Sequence, residues 1–554
     1  MSTTGRDVLR RSIAGQRRQL TAASLLTAGH QGGEALVPVV IGVVIDQAVA
    51  GASVLTLVAW LAALGLLFAG LSTSYRWGAR FAERGAERAA HELRLDIARR
   101  VLHPGGGAEA LAGELVSIGT SDAKRVGALN GVLPFAAAGL AGLLVTAIAL
   151  LTRSIPLGLL VLLGTPPILY VAHLIGKPLE RRSEAEQERS AFASGVATDL
   201  VAGLRVLKGV GAERAAVDRY RKTSQDSLRA TLRAARAQAW HNGALLALTG
   251  IFIAVVALVG GYLAAAGSIS IGDLVAAVGL AQYMITPFSI FSWVNGELAQ
   301  ARASAGRIAD VLTAPPSVGA GGNDLPTPST GHVQVRALSR GALRDVDFEA
   351  RPGELLGVVA TDPAAATDLL DCLGRSVDPG TGSVSVDAVD LSTVDPNRVR
   401  EVVLVASHDA DLFAGTIAES ISAGPRVDEA VTAAAVDEVA SALPDGVATA
   451  VTERGRSLSG GQRQRVALAR ALAVDAPVLV LHDPTTAVDT VTEARIAAGL
   501  AELRRGRTTI IVTTSPALLA ATDRVVLLDD GRIVDQGSHA VLAARADYRA
   551  AVLA

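Results

Sequence analysis

The sequence predicts a chain in two parts. A membrane domain of six α-helical spans with long cytoplasmic helical extensions is followed by an α/β domain on a mostly parallel sheet. Three observations predict this. First, five stretches contain no Asp, Glu, Lys or Arg: Gln47–Tyr75, Val126–Thr152, Ser154–Gly176, Ala237–Gly272 and Leu274–Gly296. Each exceeds the roughly 20 residues that cross about 30 Å of hydrocarbon. Second, Arg crowds into Arg76–Arg125 and Lys177–Arg236, between pairs of those stretches. Third, beyond Ile308 short β-branched runs alternate with Ala-rich stretches, the pattern of strands covered by helices.

Composition narrows the function classes. Of 554 residues, 50% are hydrophobic and 19% charged, below the roughly 25% charged of soluble proteins. Lys+Arg 51 against Asp+Glu 53 leaves a net charge of −2, so no basic excess calls for a nucleic-acid partner. Cys372 is the only cysteine, which excludes an intrachain disulfide and a cysteine metal cluster. Aromatics are 3%, so the apolar content is Ala, Leu, Val and Gly, which suits membrane helices packed through small residues.

The elements follow in order. A sixth apolar run, Gln19–Ile45, is interrupted by His30, Gln31 and Glu34. Its basic-then-apolar start serves as a first crossing rather than a signal peptide, because it has no clean small-residue cleavage site. The six spans are placed at 22–48, 54–75, 127–151, 155–176, 242–266 and 273–295, within a membrane domain of residues 1–312. The short loops Val49–Ser53, Arg153–Pro156 and Gly267–Asp273 are nearly free of Lys and Arg, whereas the long loops and the N-terminus are Arg-rich. The excess of positive charge on one side puts both termini and both long loops in the cytoplasm. The expected location is therefore a multi-pass position in the cell (inner or plasma) membrane. Arg76–Arg100 and Pro178–Arg236 are rich in strong helix formers and are read as helices that continue beyond the bilayer, with breaks at His103–Gly107 and Gly203–Gly211.

A linker of residues 313–331 carries Pro315, Pro316, Pro326 and Pro328. In the second domain, 332–554, strands are expected at Val333–Val335, Leu355–Val359, Val402–Val405, Val478–Leu481, Thr509–Thr513 and Arg524–Leu528. Within it stands Leu458-Ser459-Gly460-Gly461-Gln462-Arg463-Gln464-Arg465. Small residues opening a helix leave backbone N–H groups accessible to an anion, and Ser459 adds a hydroxyl. Leu-Ser-Gly-Gly-Gln is also the signature motif of the ATP-binding cassette (ABC) family, which the chain resembles over nearly its full length. Pro477–Leu481 followed by His482-Asp483-Pro484-Thr485-Thr486-Ala487-Val488-Asp489 looks like that family's Walker B strand and D-loop. Asp411–Ile417 looks like the stretch after its Q-loop. The resemblance implies an ABC exporter-type half-transporter whose second half is a P-loop-type nucleotide-binding domain, with ATP and Mg2+ as cofactors.

The family's phosphate loop is Gly-x-x-Gly-x-Gly-Lys-Ser/Thr. Here its three glycine positions hold Ala360, Pro363 and Ala365, and its lysine position holds Ala366. Thr367 keeps the hydroxyl that faces magnesium in the family, and Asp368 follows in place of a second hydroxyl. A phosphate cradle needs glycines, backbone donors and a cation. Pro363 removes a donor, and losing one charge-assisted bond costs about 1.5–3 kcal/mol. Asp362 and Asp368 would also repel phosphate. Asp362-Pro363 reads instead as a helix N-cap followed by a first-turn proline, so that the carboxylate occupies the anion site itself.

The aligned positions continue the pattern. The Walker B aspartate falls on His482, and the catalytic glutamate on Asp483. The Q-loop glutamine falls on His408, or on Ser407 with a one-residue gap, and the switch histidine falls on Thr514. No aromatic stands near Ser339–Ala342, where the family stacks adenine.

In the family, two nucleotide domains sandwich ATP between the Walker loops of one and the signature of the other. The resemblance therefore implies that this chain alone has no ATPase site. It would complete one with a second ABC half-transporter whose Walker A, Walker B and switch histidine are intact. It would lend that partner Ser459, Gly460, Gly461 and Gln462, with Asp489 at the interface. The resemblance also implies that the two helical breaks lie near the family's coupling helices.

Cargo is expected to be an amphipathic or lipophilic small molecule, lipid or peptide, and movement is expected to be export. Two alternatives remain open at this stage: an importer with exporter architecture, as in siderophore uptake, and a regulatory membrane protein that does not transport. Polar residues in or near the spans (His30, Glu34, Asp46, Asn130, His173, His241, Asn242, Gln282, Asn295 and Glu297) are the candidates for cargo contact.

Overall fold

Apolar length decides the first half of the chain. The fold is taken from a computed structural model that describes residues 3–49, 54–107, 111–408, 411–422 and 424–552. Six helical stretches among these residues are long and apolar enough to cross a membrane. The expected outer loop Val49–Ser53 lies outside the described residues except for Val49. The chain divides into two units, Met1–Ala98 with Ala110–Thr313, and Arg99–Glu109 with Ala314–Ala554.

The first unit contains α1 (Gly5–Gly15), α2 (Arg17–Val44), α3 (Val54–Val101), α4 (Ala112–Ser117), α5 (Ala123–Arg153), α6 (Ile155–Ala202), α7 (Leu204–Gly209), α8 (Glu213–Ala265), α9 (Ile271–Tyr283) and α10 (Ile285–Thr313). Helix α1, closed by a Thr4/Asp7 capping box, was not expected from the sequence. Helices α3, α6 and α8 have 48, 48 and 53 residues, about 70–80 Å each at 1.5 Å per residue. The apolar spans therefore run without interruption into the Arg-rich extensions. The expected breaks are present: α3 ends before His103–Gly107, and the short α7 lies within Gly203–Gly211.

Small residues let the membrane helices touch backbone to backbone. A Cβ on Gly42 of α2 would lie 2.4 Å from the Gly272 carbonyl oxygen of α9, and a Cβ on Gly127 of α5 would lie 2.6 Å from the Ala86 oxygen of α3. Polar groups staple the same unit. Asp46 accepts from Ser270 Oγ and from Gly272 N at 2.9 Å. Asp122 is bound through both oxygens by Arg307 and by Ser304 Oγ. Asn130 donates to Ser12 Oγ at 2.9 Å. These partners tie Asp46 and Asn130 into the packing of the helices.

The second unit holds a four-stranded antiparallel sheet, β2-β1-β4-β5, and a six-stranded sheet, β12-β11-β3-β10-β9-β6. The strands are β1 (Val333–Arg340), β2 (Leu343–Ala350), β3 (Leu355–Ala360), β4 (Thr381–Val386), β5 (Val389–Asp390), β6 (Val403–Ala406), β7 (Gly415–Thr416), β8 (Ala450–Val451), β9 (Val478–His482), β10 (Thr508–Val512), β11 (Arg524–Asp529) and β12 (Arg532–Gly537). Strands β11, β3, β10, β9 and β6 pair in parallel, and β12 closes the edge antiparallel. All six strands expected from apolar runs are present. Those not anticipated, such as β2 and β4, bury alternate residues among charged or hydroxyl neighbours, so they carry no continuous apolar run.

The break after α3 belongs with this second unit. Arg400 Nη2 donates to the Pro104 oxygen at 3.0 Å, Val318 N donates to the Gly105 oxygen at 3.2 Å, and Arg100 Nη2 donates to the Ala314 oxygen at 2.5 Å.

The end of the linker is tied down by Asp387. Its carboxylate accepts from Ser329 Oγ at 2.6 Å, Thr330 N at 2.9 Å, His332 N at 3.0 Å and Thr330 Oγ1. Partial burial pushes its pKa up, but these donors outweigh burial and hold it below the ordinary aspartate value. A carboxyl depressed in the folded state stabilises above its unfolded pKa of about 3.9, and that contribution fades as pH falls through the folded value. Thermal unfolding should therefore show Asp387→Ala less stable than the parent at pH 7, with the gap narrowing below about pH 4.

Candidate nucleotide site

Strand β3 is central in its sheet, and Thr361 and Asp362 alone separate its end from α11 (Pro363–Leu373). Asp362 is the N-cap: its Oδ1 accepts from Ala364 N at 2.9 Å, with Pro363 in the first helical position. The carboxylate thus sits on the positive end of the helix, where a phosphate would sit. Other donors here are also committed. Thr361 N donates to the Leu528 oxygen at 3.1 Å and Ala366 N to the Asp362 oxygen at 3.2 Å. Thr361 Oγ1 donates to Asp529 at 2.6 Å. The Thr367 hydroxyl turns back to the Pro363 oxygen at 3.0 Å.

Ala365 and Ala366 are buried in the core under the sheet. Asp368 accepts from Ala342 N at 2.7 Å, and a Cβ on Gly341 would lie 2.2 Å from its Oδ2. That carboxylate therefore occupies the β1–β2 turn where the family stacks adenine. Asp368, expected from the sequence to replace a hydroxyl and repel phosphate, is a hydrogen-bond acceptor for this turn, and the absence of a side chain on Gly341 leaves room for it.

The Walker B and Q-loop positions meet at the far end of β9. The rings of His482 and His408 are 5.9 Å apart. His482 Nε2 is 3.9 Å from Asp483 Oδ2, and His408 Nδ1 is 3.4 Å from the Asp483 oxygen. Asp483 has a φ of +43°. Ser407, His408 and His482 line a cavity of about 180 Å³ together with Gly460, Arg463, Gln464 and Thr486, and no residue of 360–368 lines it. Thr514 is exposed in the turn after β10. Residues 360–368, His482 and Asp483 therefore do not fit a magnesium nucleotide: the chain brings its own anions to the phosphate end and a histidine to the metal-ligand position.

The signature side is built differently. Ser459 N-caps α12 (Gly460–Ala473) in a capping box. Gln462 N donates to Ser459 Oγ at 3.3 Å, and Ser459 N donates to Gln462 Oε1 at 2.9 Å. The cap is neutral and exposed, so the positive end of this helix stays available to an outside anion. A Cβ on Gly461 would lie 2.5 Å from the Ala487 oxygen, so this glycine is needed for the approach of the D-loop. Gln464 clamps the same loop, donating to Thr486 Oγ1 at 2.7 Å and accepting from Ala487 N at 2.8 Å. Asp489 N-caps α13 (Thr490–Leu503). The Thr492 amide, and then its hydroxyl, hold the Asp489 carboxyl below the usual aspartate value.

Residues 20–288 match the model of the ABC transporter transmembrane region, and residues 343–486 match the ABC transporter model. The chain belongs to the ABC transporter family. A multidrug efflux ATP-binding/permease protein of Mycobacterium tuberculosis is 32% identical over 521 residues, covering 91% of this chain and 43% of that protein. The chain thus spans less than half the length of that relative. An ATP-dependent lipid A-core flippase of Burkholderia orbicola is 31% identical over 399 residues, 69% of this chain and 66% of the flippase. The solved structure of a bacterial Atm1-family ABC exporter with ATP bound superposes with a TM-score of 0.77 at 22% identity, over 98% of each chain. The chain therefore has the architecture of an ABC exporter half, six membrane helices followed by a nucleotide-binding domain. The family uses ATP and Mg2+ in that domain.

Removing the internal anion should cost helix stability without creating a site. Asp362→Ala is expected to lower stability by about 1 kcal/mol through the lost cap, read by denaturant unfolding. ATP titration of the same variant should show no micromolar binding, because Ala366, Pro363 and Asp368 are unchanged.

Proposed function

We propose that this chain is the catalytically degenerate subunit of a heterodimeric ABC transporter that moves an amphipathic or lipophilic substrate out across the membrane. The observation that carries this reading is the contrast between two helix starts in one domain. Helix α11 opens on the carboxylate of Asp362, with its neighbouring donors bonded internally. Helix α12 opens on the neutral Ser459 and two glycines. Only the second can receive a phosphate.

The chain would therefore lend Ser459, Gly460, Gly461 and Gln462 to ATP and Mg2+ held by the Walker motifs of a partner half, with Asp489 alongside. In its own half-site, Ala366, His482, Asp483 and Thr514 stand where lysine, aspartate, glutamate and histidine act in the family. ATP supplies its chemistry at the composite site; this chain's part is to close on it and complete its anion contacts. The exposed apolar residues Leu204, Val206 and Val210 at the second break suit burial by a partner. Both termini and the nucleotide-binding domain are assigned to the cytoplasm from the Arg-rich loops. A cargo with a large apolar body agrees with the multidrug efflux and lipid flipping for which the relatives are named.

The test is reconstitution. The chain purified alone should show no ATP hydrolysis above background. Co-expressed with a half-transporter carrying intact Walker motifs, it should support hydrolysis. Ser459→Ala or Gly461→Asp should then lower that rate by about ten- to a hundredfold, the worth of one charge-assisted contact. Brisk hydrolysis by the lone chain would overturn the reading.

A further inference from the structure

A partly buried polar cluster joins helices of the membrane unit. Glu34 is near the middle of the span 22–48, and Tyr283 is near the middle of the span 273–295. Gln31 Nε2 donates to Glu34 Oε2 at 2.8 Å and to Tyr283 Oη at 2.7 Å, and Tyr283 Oη donates to the Gln31 carbonyl oxygen at 2.7 Å. His30, one turn before Glu34, has Nε2 4.0 Å from Glu34 Oε2. Its Nδ1 is 2.9 Å from the Leu71 oxygen, and its ring lies 5.1 Å from that of Tyr75. The α5 helix makes room for the crossing: a Cβ on Gly142 would lie 2.6 Å from Tyr283 Oη and 3.0 Å from Gln31 Cγ.

Comparison with Asp46 and Asp122 sets Glu34 apart. Both oxygens of Asp46 are engaged, by Ser270 and Gly272, and both oxygens of Asp122 are engaged, by Arg307 and Ser304. Those carboxylates are structural staples. Glu34 accepts one hydrogen bond, from a neutral amide, and its side chain is 45% exposed. Among the described residues no Lys or Arg bonds to the cluster. Ionisable residues within spans almost always face a bundle interior or a water-filled cavity and are paired there; among the described residues of this chain the one nitrogen near Glu34 that can carry a positive charge is His30 Nε2, at 4.0 Å. The surroundings are apolar and aromatic: Leu67 and Leu71 lie against Gly33, and Val145 lies against Gly32. That combination fits an ammonium or guanidinium group on an apolar body, with the carboxylate as counter-ion and the Tyr75 and Tyr283 rings as further cation contacts.

We propose that Glu34, positioned by Gln31 and Tyr283, binds the cationic group of an amphipathic cargo. This deepens the transporter reading above and rests on it for the word cargo. The site is built wholly from α2, α3, α5 and α9 of this chain, so binding requires neither ATP nor a partner.

The experiment uses the full chain in lipid nanodiscs, with empty nanodiscs as background. The cationic dye rhodamine 6G and the neutral dye Nile red are titrated by fluorescence anisotropy. Saturable rhodamine 6G binding is expected, and Glu34→Gln should weaken it about tenfold or more while Nile red binding stays unchanged. Glu34→Asp, which keeps the charge, should recover part of the loss, and matching thermal unfolding curves would show that the variants fold. Three results would overturn the proposal: no saturable rhodamine 6G binding to the parent chain, equal weakening of both dyes by Glu34→Gln, or displacement of the dye by Na+ but not by choline. The last would assign the cluster to an inorganic cation. None of these outcomes affects the ATPase test of the composite site. Failure of that test would in turn leave dye binding as it is.

Discussion

The bond between the Asp362 carboxylate and the N-terminus of α11 sets the character of the nucleotide-binding domain. The amides of a helix start attract an anion, and in this fold that anion would ordinarily be a nucleotide phosphate. Here the chain supplies it from the residue that ends the loop. With the carboxylate in place, the helix begins at Pro363, Ala365 and Ala366 go into the core, and Thr367 bonds to its own helix. The result is a sound α/β domain whose first α11 amides are met from within the chain, because a cap stabilises the helix whether or not a ligand ever binds.

The signature helix obeys the same rule with the opposite outcome. Its cap is a hydroxyl with no net charge, so its amides are satisfied without cancelling the positive end. Gly461 and Gln464 then fix the D-loop against it. A domain with one charged cap and one neutral cap is asymmetric by construction.

In the membrane unit, polarity is used sparingly and in two ways. Where carboxylates meet enough donors, as at Asp46 and Asp122, they lock helices that glycines have already brought to backbone contact. At Glu34 the donors are fewer: it accepts one hydrogen bond, from Gln31, and its side chain stays partly exposed. The same small-residue packing serves both, since Gly142 leaves the space in which Gln31 and Tyr283 meet.

The amino-acid sequence determined the six spans, the strands of the parallel sheet and the absence of a lysine-containing phosphate loop. Each of these is a local property: twenty apolar residues in a row, four to six β-branched ones, or an amine and several N–H groups that are missing whatever the fold. The capping role of Asp362 was legible for the same reason, because cap and helix are adjacent. The tertiary structure alone decided that Asp368 reaches Ala342, 26 residues away, and that Gln31 meets Tyr283 across 252 residues. It also decided that the segment after α3 belongs with the second unit. Those pairings depend on how elements stack, and a single chain's local chemistry carries no record of which distant turn or helix will supply the other half of a hydrogen bond.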